Sequence, residues 1–291
     1  LIGEDRAAHD RCALGLAVNP NVGATLLLGD NPQSLQALGQ QLATRGRDHV
    51  ALSLDDCGND IYAMTERAFR LGAALIRQAS RARRAPAPLS ALTIGLECGR
   101  SDPSSGLVAN PLLGQIADRV ADAGGRVILG ETLEWLGAEH LLAGRAATPE
   151  VADNIVTAVR RRETAAIEAG VDLLGTNPTP TNIHAGLSTI EEKSLGSTAK
   201  SGSRRIEGLI RYGETPPGSG LWVMDAAAYA PESLTGYVAS GAQLTLFTTG
   251  VGNSYVSLLA PTVKVCANPA NCARLGGQID FDASKAFTGE I

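Results

Sequence analysis

The chain has 291 residues, of which 44% are hydrophobic, 19% charged and 4% aromatic, and its net charge is −5. This composition is typical of a globular protein with a large core, and the negative charge argues against nucleic acid as a partner. No apolar run reaches the roughly 18 residues that span a bilayer, so no membrane contact is expected. The five cysteines include no CxxC pair. We therefore expect reduced thiols and a cytoplasmic protein.

Apolar runs alternate with amphipathic segments from the start of the chain. Before residue 85 this pattern predicts strands at 25–29 and 49–54, and helices at 32–45 and 59–84. Residues 85–88, Ala-Pro-Ala-Pro, predict a stiff linker. The sequence thus predicts an α/β fold of two lobes, residues 1–88 and 89–291, with mainly parallel sheets covered by helices.

The alternation continues through the second lobe. It predicts strands at 91–96, 126–129, 221–224, 243–248 and 262–267, and helices at 111–123, 131–143, 149–170 and 231–240. Residues 175–205 show no sustained periodicity. A segment of that length without regular structure is usually functional or disordered. Its lysines, histidine and carboxylates favour a functional site.

The loop at residues 95–111, GLECGRSDPSSGLVANP, has the greatest concentration of potentially reactive and hydrogen-bonding side chains. It follows a predicted strand, and open α/β sheets bind ligands at the carboxyl ends of strands. Cys98 and Asp102 offer a thiol and a carboxylate, with a buried apolar thiol and an Asx turn as the structural alternatives. Asn110-Pro111 predicts an N-cap followed by the first helical position, whose free N–H groups would face an anion.

Five segments, in order from about residue 91 to 280, together resemble the altronate and galactarate dehydratases. They read CGRSDPSSGLVANP, GRVILGETLEWLGAEHLLAGRA, NPTPTNIHAGLSTIEEKSLGSTAKSG, FTTGVG and PTVKVCAN. A related branch is the sulfolactate sulfo-lyase large subunit. The chain departs from the family pattern at several positions: Arg100 replaces a glycine, Thr181 a glycine and Val251 an arginine, and Asp30 stands where a first-lobe cysteine would lie.

The resemblance implies a metal-dependent lyase that removes water from a sugar acid to give a 2-keto-3-deoxy acid. Two alternatives stay open: a sulfo-lyase acting on a sulfolactate-like acid, and a non-catalytic relative without the metal site. The implied cofactor is a divalent metal, Fe²⁺ or else Mn²⁺. The implied partners are a small carboxylic acid, a separate small N-terminal-type domain or subunit, and further copies of the chain in a homo-oligomer.

The same resemblance, with the chemistry of dehydration, selects the site residues. Lys193 is expected to hold the substrate carboxylate or the enediolate oxygen, with Asp102 and Cys98 as further catalytic groups. Metal ligation is expected from Cys98 and Glu131, whereas Glu134 is expected only to favour the first turn of a helix. Substrate contacts are expected from Ser101, Ser104, Ser105, Asn110, Lys200, Gly250, Gly252 and Asn253.

Overall fold

The computed structural model describes residues 3–290, and this part of the chain contains ten α-helices and nine strands. It divides between Ala87 and Pro88 into two compact units. All strand pairings are parallel, so the predicted α/β class with parallel sheets is confirmed. Within residues 3–290, no helix is long and apolar enough to cross a membrane.

The first unit is a two-stranded parallel sheet with three helices. Its elements are α1 (Gly3–Val18), β1 (Thr25–Gly29), α2 (Pro32–Thr44), β2 (His49–Ser53) and α3 (Ile61–Ala79). Asn31 and Asp60 cap α2 and α3 by accepting hydrogen bonds from backbone N–H groups of the first turn. Helix α1 was not expected, because its apolar residues do not gather on one face.

The second unit contains fourteen of these elements. They are β3 (Thr93–Cys98), α4 (Asn110–Asp122), β4 (Arg126–Leu129), α5 (Glu139–Ala143), α6 (Pro149–Glu168), α7 (Pro180–His184), α8 (Ile190–Thr198), β5 (Ile206–Ile210), β6 (Gly220–Met224), α9 (Ala230–Ala239), β7 (Leu244–Thr248), β8 (Thr262–Cys266), α10 (Pro269–Arg274) and β9 (Phe281–Asp282).

The seven strands of the second unit lie in the order β5-β6-β4-β3-β7-β8-β9. Strand β3 is central, and all six of its residues are buried, as is usual in a parallel sheet covered on both faces. The strand order changes direction at β3, because β4 pairs on one side of it and β7 on the other. In open α/β sheets this switch point is where ligands bind.

The helix predicted for residues 131–143 is wrong. A 3₁₀ turn at Thr132–Trp135 is followed by the short α5. Two residues interrupt the helix, because Glu131 and Gly137 have φ values of +67° and +83°. A right-handed helix cannot continue through left-handed backbone.

The absence of regular structure expected for residues 175–205 is also wrong. This segment contains α7, α8 and a 3₁₀ turn at Ala199–Ser201. The buried positions Lys193, Ser197 and Lys200 follow a helical spacing of i, i+4 and i+7, but they are polar. A search for apolar periodicity therefore does not detect the buried face.

The N-cap predicted at Asn110 is wrong as well. Residues 103–122 are helical throughout, with one π turn at Ser105–Ala109. The helical segment starts beside Asp102, whose carboxylate accepts a hydrogen bond from the Ser105 backbone N–H at 3.0 Å, as an N-cap does. Asn110 lies inside the helical segment, so no free N–H groups are exposed there.

Candidate active site

Two loops at one edge of the second sheet, those after β3 and β7, meet the segment that contains α7 and α8. The Gly99 N–H donates to the Thr248 carbonyl at 3.0 Å, which joins the loops after β3 and β7. Asn182 on α7 donates to the Ser101 carbonyl at 2.8 Å. Asn110 donates to the Gly196 carbonyl on α8 at 2.8 Å. Residues 98–110, 177–200 and 249–253 therefore lie together at the switch point of the sheet.

A buried cluster of five side chains lies at this edge. The Lys200 ammonium donates to Cys98 Sγ at 2.8 Å and to Glu131 Oε2 at 2.6 Å. The Cys98 thiol donates to Glu134 Oε2 at 2.9 Å. The Lys193 ammonium forms an ion pair with Glu134 Oε1. The contacts form one chain, from Lys193 through Glu134, Cys98 and Lys200 to Glu131.

All five side chains are withdrawn from water, and this shifts the pKa values of Cys98, Glu131 and Glu134. Burial raises the pKa of the Cys98 thiol well above its usual range, and the charges of Glu131 and Glu134 raise it further, so the sulfur is protonated. Burial, together with the charge of Glu134, raises the pKa of Glu131 to about 7. Burial acts in the same direction on Glu134, but the ammonium groups of Lys193 and Lys200 outweigh it and lower its pKa to about 2.

Glu131 holds its position with strained backbone. Its φ of +67° is a conformation that a residue with a long side chain adopts at a cost of about 1–3 kcal/mol. The strained turn lets Glu131 Oε2 accept both the Cys98 backbone N–H at 3.0 Å and the Lys200 ammonium. Strain of this kind concentrates at functional sites, where surrounding contacts keep it in place.

Cys98, Glu131 and Glu134 form a group that could hold a divalent metal. One donor atom from each lies within 4.8 Å of the others, and all three residues are buried. A thiolate with two carboxylates suits a divalent transition metal. The donor set therefore fits such an ion, and the Cys98 thiol would give up its proton on binding it.

A cavity of about 300 Å³ opens beside this cluster. It contains one basic side chain, Lys193, whose ammonium also donates a hydrogen bond to the side-chain Oδ1 of Asn177 at 2.5 Å. Its other lining residues are Ser101, Asp102, Pro103, Gly106, Leu107, Asn110, Leu187, Glu192, Leu195 and Gly196. Ser101 is buried, and its hydroxyl has no hydrogen-bond partner within the described residues. Lys193 therefore connects the cavity to the buried cluster.

The Asp102 carboxylate is hydrogen-bonded to side chains of the same chain. Its Oδ1 accepts hydrogen bonds from the hydroxyls of Ser104 at 2.6 Å and Ser105 at 3.1 Å, and its Oδ2 accepts one from Asn268 at 2.7 Å. The side chains of Asp102, Ser104 and Ser105 therefore hold the start of the helical segment. These contacts favour the Asx-turn interpretation of Asp102.

The turn after β7, from which substrate contacts were expected at Gly250, Gly252 and Asn253, has its polar groups hydrogen-bonded within the chain. The N–H groups of Gly250 and Val251 both donate to the Arg100 carbonyl, at 3.2 and 3.1 Å. The Gly252 N–H donates to the Thr249 hydroxyl at 3.0 Å, and the Asn253 side chain accepts from the Tyr255 N–H at 3.0 Å. These groups tie the loops together.

Sequence reasoning missed two members of the site, Glu134 and Asn177. Glu134 was interpreted as a favourable helix-end charge, yet it is only 5% exposed and contacts both Cys98 and Lys193. Its spacing of three residues from Glu131 was the available signal. Asn177 begins the NPTPTN segment that carries the family resemblance, and it orients the Lys193 ammonium.

Residues 89–291 match the family model described as D-galactarate/altronate dehydratase, C-terminal. The (2R)-sulfolactate sulfo-lyase subunit beta of Chromohalobacter salexigens is 35% identical, over 99% of this chain and 74% of that protein. The altronate dehydratase of Escherichia coli is 32% identical over 99% and 58% of the two chains. The galactarate dehydratase (L-threo-forming) of the same organism is 30% identical over 94% and 54%.

The chain therefore belongs to the D-galactarate/altronate dehydratase family, whose named members here are all lyases. It spans about three quarters of the sulfo-lyase subunit and little more than half of these two dehydratases.

Proposed function

We propose that this member of the family removes water from a sugar acid of the altronate or galactarate type to give a 2-keto-3-deoxy acid. The observation that carries the proposal is the position of Lys193, which lines a cavity of about 300 Å³ and pairs with the buried Glu134. A cavity of that size is at the lower end of the range for small-molecule sites.

The reaction requires a cation next to the substrate carboxylate. A proton leaves the carbon beside the carboxylate, negative charge builds on the enediolate oxygens, and the hydroxyl on the next carbon departs as water. Lys193 is the one basic side chain among the residues lining the cavity. We assign it to the substrate carboxylate and the developing enediolate, because a preorganised charge in a water-poor site stabilises such a transition state.

The rest of the cluster is suited to holding a proton. Of its two carboxyls, Glu131 has the pKa nearer neutrality, at about 7, and general acid–base groups work best near the operating pH. A chain of hydrogen bonds through Lys200, Cys98 and Glu134 links it to Lys193. We assign proton storage to Glu131 and transfer to this chain of contacts.

For the metal-loaded protein we propose that Cys98, Glu131 and Glu134 hold a divalent metal, Fe²⁺ or Mn²⁺. Glu131 would then be a deprotonated ligand, so the proton storage assigned above belongs to the metal-free cluster. When bound, such an ion supplies a Lewis acid that stabilises negative charge on a substrate oxygen. Lys193 would then remain the group that orients the substrate carboxylate from the cavity side.

The buried cluster argues against the non-catalytic alternative. Two ion pairs, Lys193–Glu134 and Lys200–Glu131, lie almost entirely out of water. Replacing such pairs with apolar residues is often neutral or stabilising. Their presence is therefore explained better by chemistry at this site than by a need for stability.

A sulfo-lyase is the second candidate function. The sulfo-lyase subunit shows the higher identity, 35%, and is covered more completely than the dehydratases. Elimination of sulfite needs the same loss of a proton beside the carboxylate, followed by cleavage of the neighbouring carbon–sulfur bond. Because that relative is named subunit beta, we propose that this chain also works with a separate partner subunit.

Turnover of galactarate, altronate and sulfolactate tests both functions. Release of a 2-keto acid without sulfite supports the dehydratase, and release of sulfite supports the sulfo-lyase. Lys193→Ala and Lys193→Arg should lower kcat by about 10²-fold or more on the accepted substrate. Lys285→Ala, which removes an exposed lysine, is the matched control and should keep full activity. Full activity of both Lys193 variants would remove this residue from the mechanism.

A further inference from the structure

Arg100 occupies a backbone conformation that suits glycine. Its φ is +56°, in the left-handed region, and it lies between Cys98 and Asp102 in the loop after β3. This conformation directs the Arg100 carbonyl to the N–H groups of Gly250 and Val251. A glycine would present the same carbonyl without strain. The strain is therefore explained by the side chain rather than by the backbone contacts.

The Arg100 guanidinium is anchored but not neutralised. One of its N–H groups donates to the Gly252 carbonyl at 3.2 Å, and this is its side-chain hydrogen bond within residues 3–290. No carboxylate of those residues lies within ion-pair distance of it, and Arg100 is exposed. Its remaining donors therefore face solvent.

A second guanidinium binds the neighbouring carbonyl of the same turn. Arg274, on α10, donates to the Val251 carbonyl at 3.3 Å and to the Asn271 side chain at 2.9 Å. It too lacks an ion-pair partner among the described residues, unlike the arginines at positions 6, 70, 161, 162, 204, 205 and 211. Two unneutralised guanidinium groups on consecutive carbonyls favour a bound anion, for which their planar donors are suited.

The turn that the two arginines contact lies next to the candidate active site, and neither arginine is among the residues that line the cavity. Asp102 lines the cavity that contains Lys193, and Gly250 packs so closely on Asp102 that a Cβ at residue 250 would overlap the carboxylate. The turn that Arg100 and Arg274 contact is therefore packed against the wall of that cavity. It also follows β7, at the switch point of the sheet.

We propose that Arg100 and Arg274 form an anion site that binds the second anionic group of a doubly charged acid substrate. This rests on the proposed function, in which Lys193 binds the carboxylate next to the reacting carbon. The second group is a terminal carboxylate in an aldarate such as galactarate, or a sulfonate in sulfolactate. An aldonate such as altronate has a hydroxyl at that end and would leave the site without an anion.

Arg100→Gly tests the proposal because it removes the guanidinium and keeps a residue suited to φ +56°. KM for the doubly charged substrate should rise about 10- to 100-fold, the loss expected for one or two charge-assisted hydrogen bonds. The kcat value for galactarate, and KM for altronate, should change by less than about twofold. With sulfolactate kcat should fall as well, because the sulfonate is the group that departs. Arg274→Gln should act in the same direction. Arg119→Gln, which removes an exposed arginine on α4, is the matched control.

The outcomes distinguish the possibilities. A rise in KM with galactarate identifies a carboxylate, and a rise with sulfolactate identifies a sulfonate. An equal change for altronate, or no change in Arg100→Gly, overturns the proposal. If the wild type converts no acid, the proposed function fails, and calorimetric titration with galactarate tests the site directly: weaker binding to Arg100→Gly than to Arg119→Gln supports it, and equal binding overturns it.

Discussion

Glu131 and Glu134 lie three residues apart in one turn, yet their surroundings move their pKa values in opposite directions, to about 7 and about 2. Burial dominates for Glu131, whereas the ammonium groups of Lys193 and Lys200 overcome burial for Glu134. Pairs of carboxyl groups separated in this way commonly divide acid–base work between them.

This difference predicts opposite effects of pH on stability. The pKa of Glu131 is raised on folding, so its stabilising contribution is complete below about pH 4.5 and is lost as pH rises through 7. The pKa of Glu134 is lowered, so its contribution is present above about pH 4.5 and is lost as pH falls toward 2. Each contribution is at most on the order of 3 kcal/mol.

Urea unfolding of Glu131→Gln, Glu134→Gln and the wild type, with chelator present, measures both effects. The free-energy difference between the wild type and Glu131→Gln should fall from pH 4.5 to 7. The difference between the wild type and Glu134→Gln should fall as pH is lowered from 4.5 to 3. Differences that do not vary with pH would show that the two carboxyl groups titrate normally.

Metal content should depend on the Cys98, Glu131 and Glu134 group. We expect protein purified without oxygen to bind one Fe²⁺ or Mn²⁺ per chain, measured by elemental analysis. Cys98→Ala should lower the affinity for the metal at least tenfold, whereas Cys272→Ala, which removes another buried thiol, should not. Equal metal content in the two variants would show that the metal is not bound by this group.

Arg145 is expected to position Lys200. Its guanidinium donates to the Gly202 carbonyl at 2.8 Å, the Arg204 carbonyl at 3.0 Å and the Ser201 hydroxyl at 2.5 Å, which fixes the turn that carries Lys200. Arg145→Ala should lower kcat about tenfold with little change in KM, because the turn contributes no residue to the lining of the cavity.

The pH profile of kcat separates this role from a general loss of stability. In Arg145→Ala the profile should shift, because the Lys200 ammonium would no longer be held against Glu131. Arg145→Lys should restore part of kcat by replacing one of the three hydrogen bonds. A variant that is less stable but has the wild-type kcat and profile would show that Arg145 only supports the fold.

Gly250→Ala should disrupt the join between the loops after β3 and β7. The added Cβ would overlap the Asp102 carboxylate, which is fixed by Asn268 and two serines. We expect a loss of about 1–3 kcal/mol in the free energy of unfolding, and a large loss of activity. Gly277→Ala, where a Cβ meets no atom within 4 Å, is the control and should be nearly neutral.

The sequence predicts most of the sheet because its strands are continuous apolar runs. The runs at β1 and β4 were predicted with their observed ends, and those at β2, β6, β7 and β8 within one residue. Strand β5 was not predicted, since Glu207 and Gly208 interrupt it and its register with β6 shifts there. The order of the strands depends on long-range pairing, which no local pattern contains.

The site was also only partly predictable, because some of its residues are brought together by long-range contacts. Lys193 and Cys98 were identified through the family resemblance, whereas periodicity concealed α8, because its buried face contains lysines and serines in place of apolar residues. Glu134 was missed because a charge near a helix start has a sufficient local explanation. Only the tertiary structure shows that it is paired with Lys193.

The central position of β3 determines when this site can form during synthesis. β3 is complete at Cys98 and can pair with β4 once residue 129 has been made, but its other neighbour ends at Thr248. A nascent chain therefore keeps one edge of its innermost strand unpaired while about 120 further residues are translated, which takes on the order of 6–24 s. Slow stages of this kind expose strand edges to misassembly. We therefore expect the nascent chain to depend on chaperones mainly while the residues between β4 and β7 are translated.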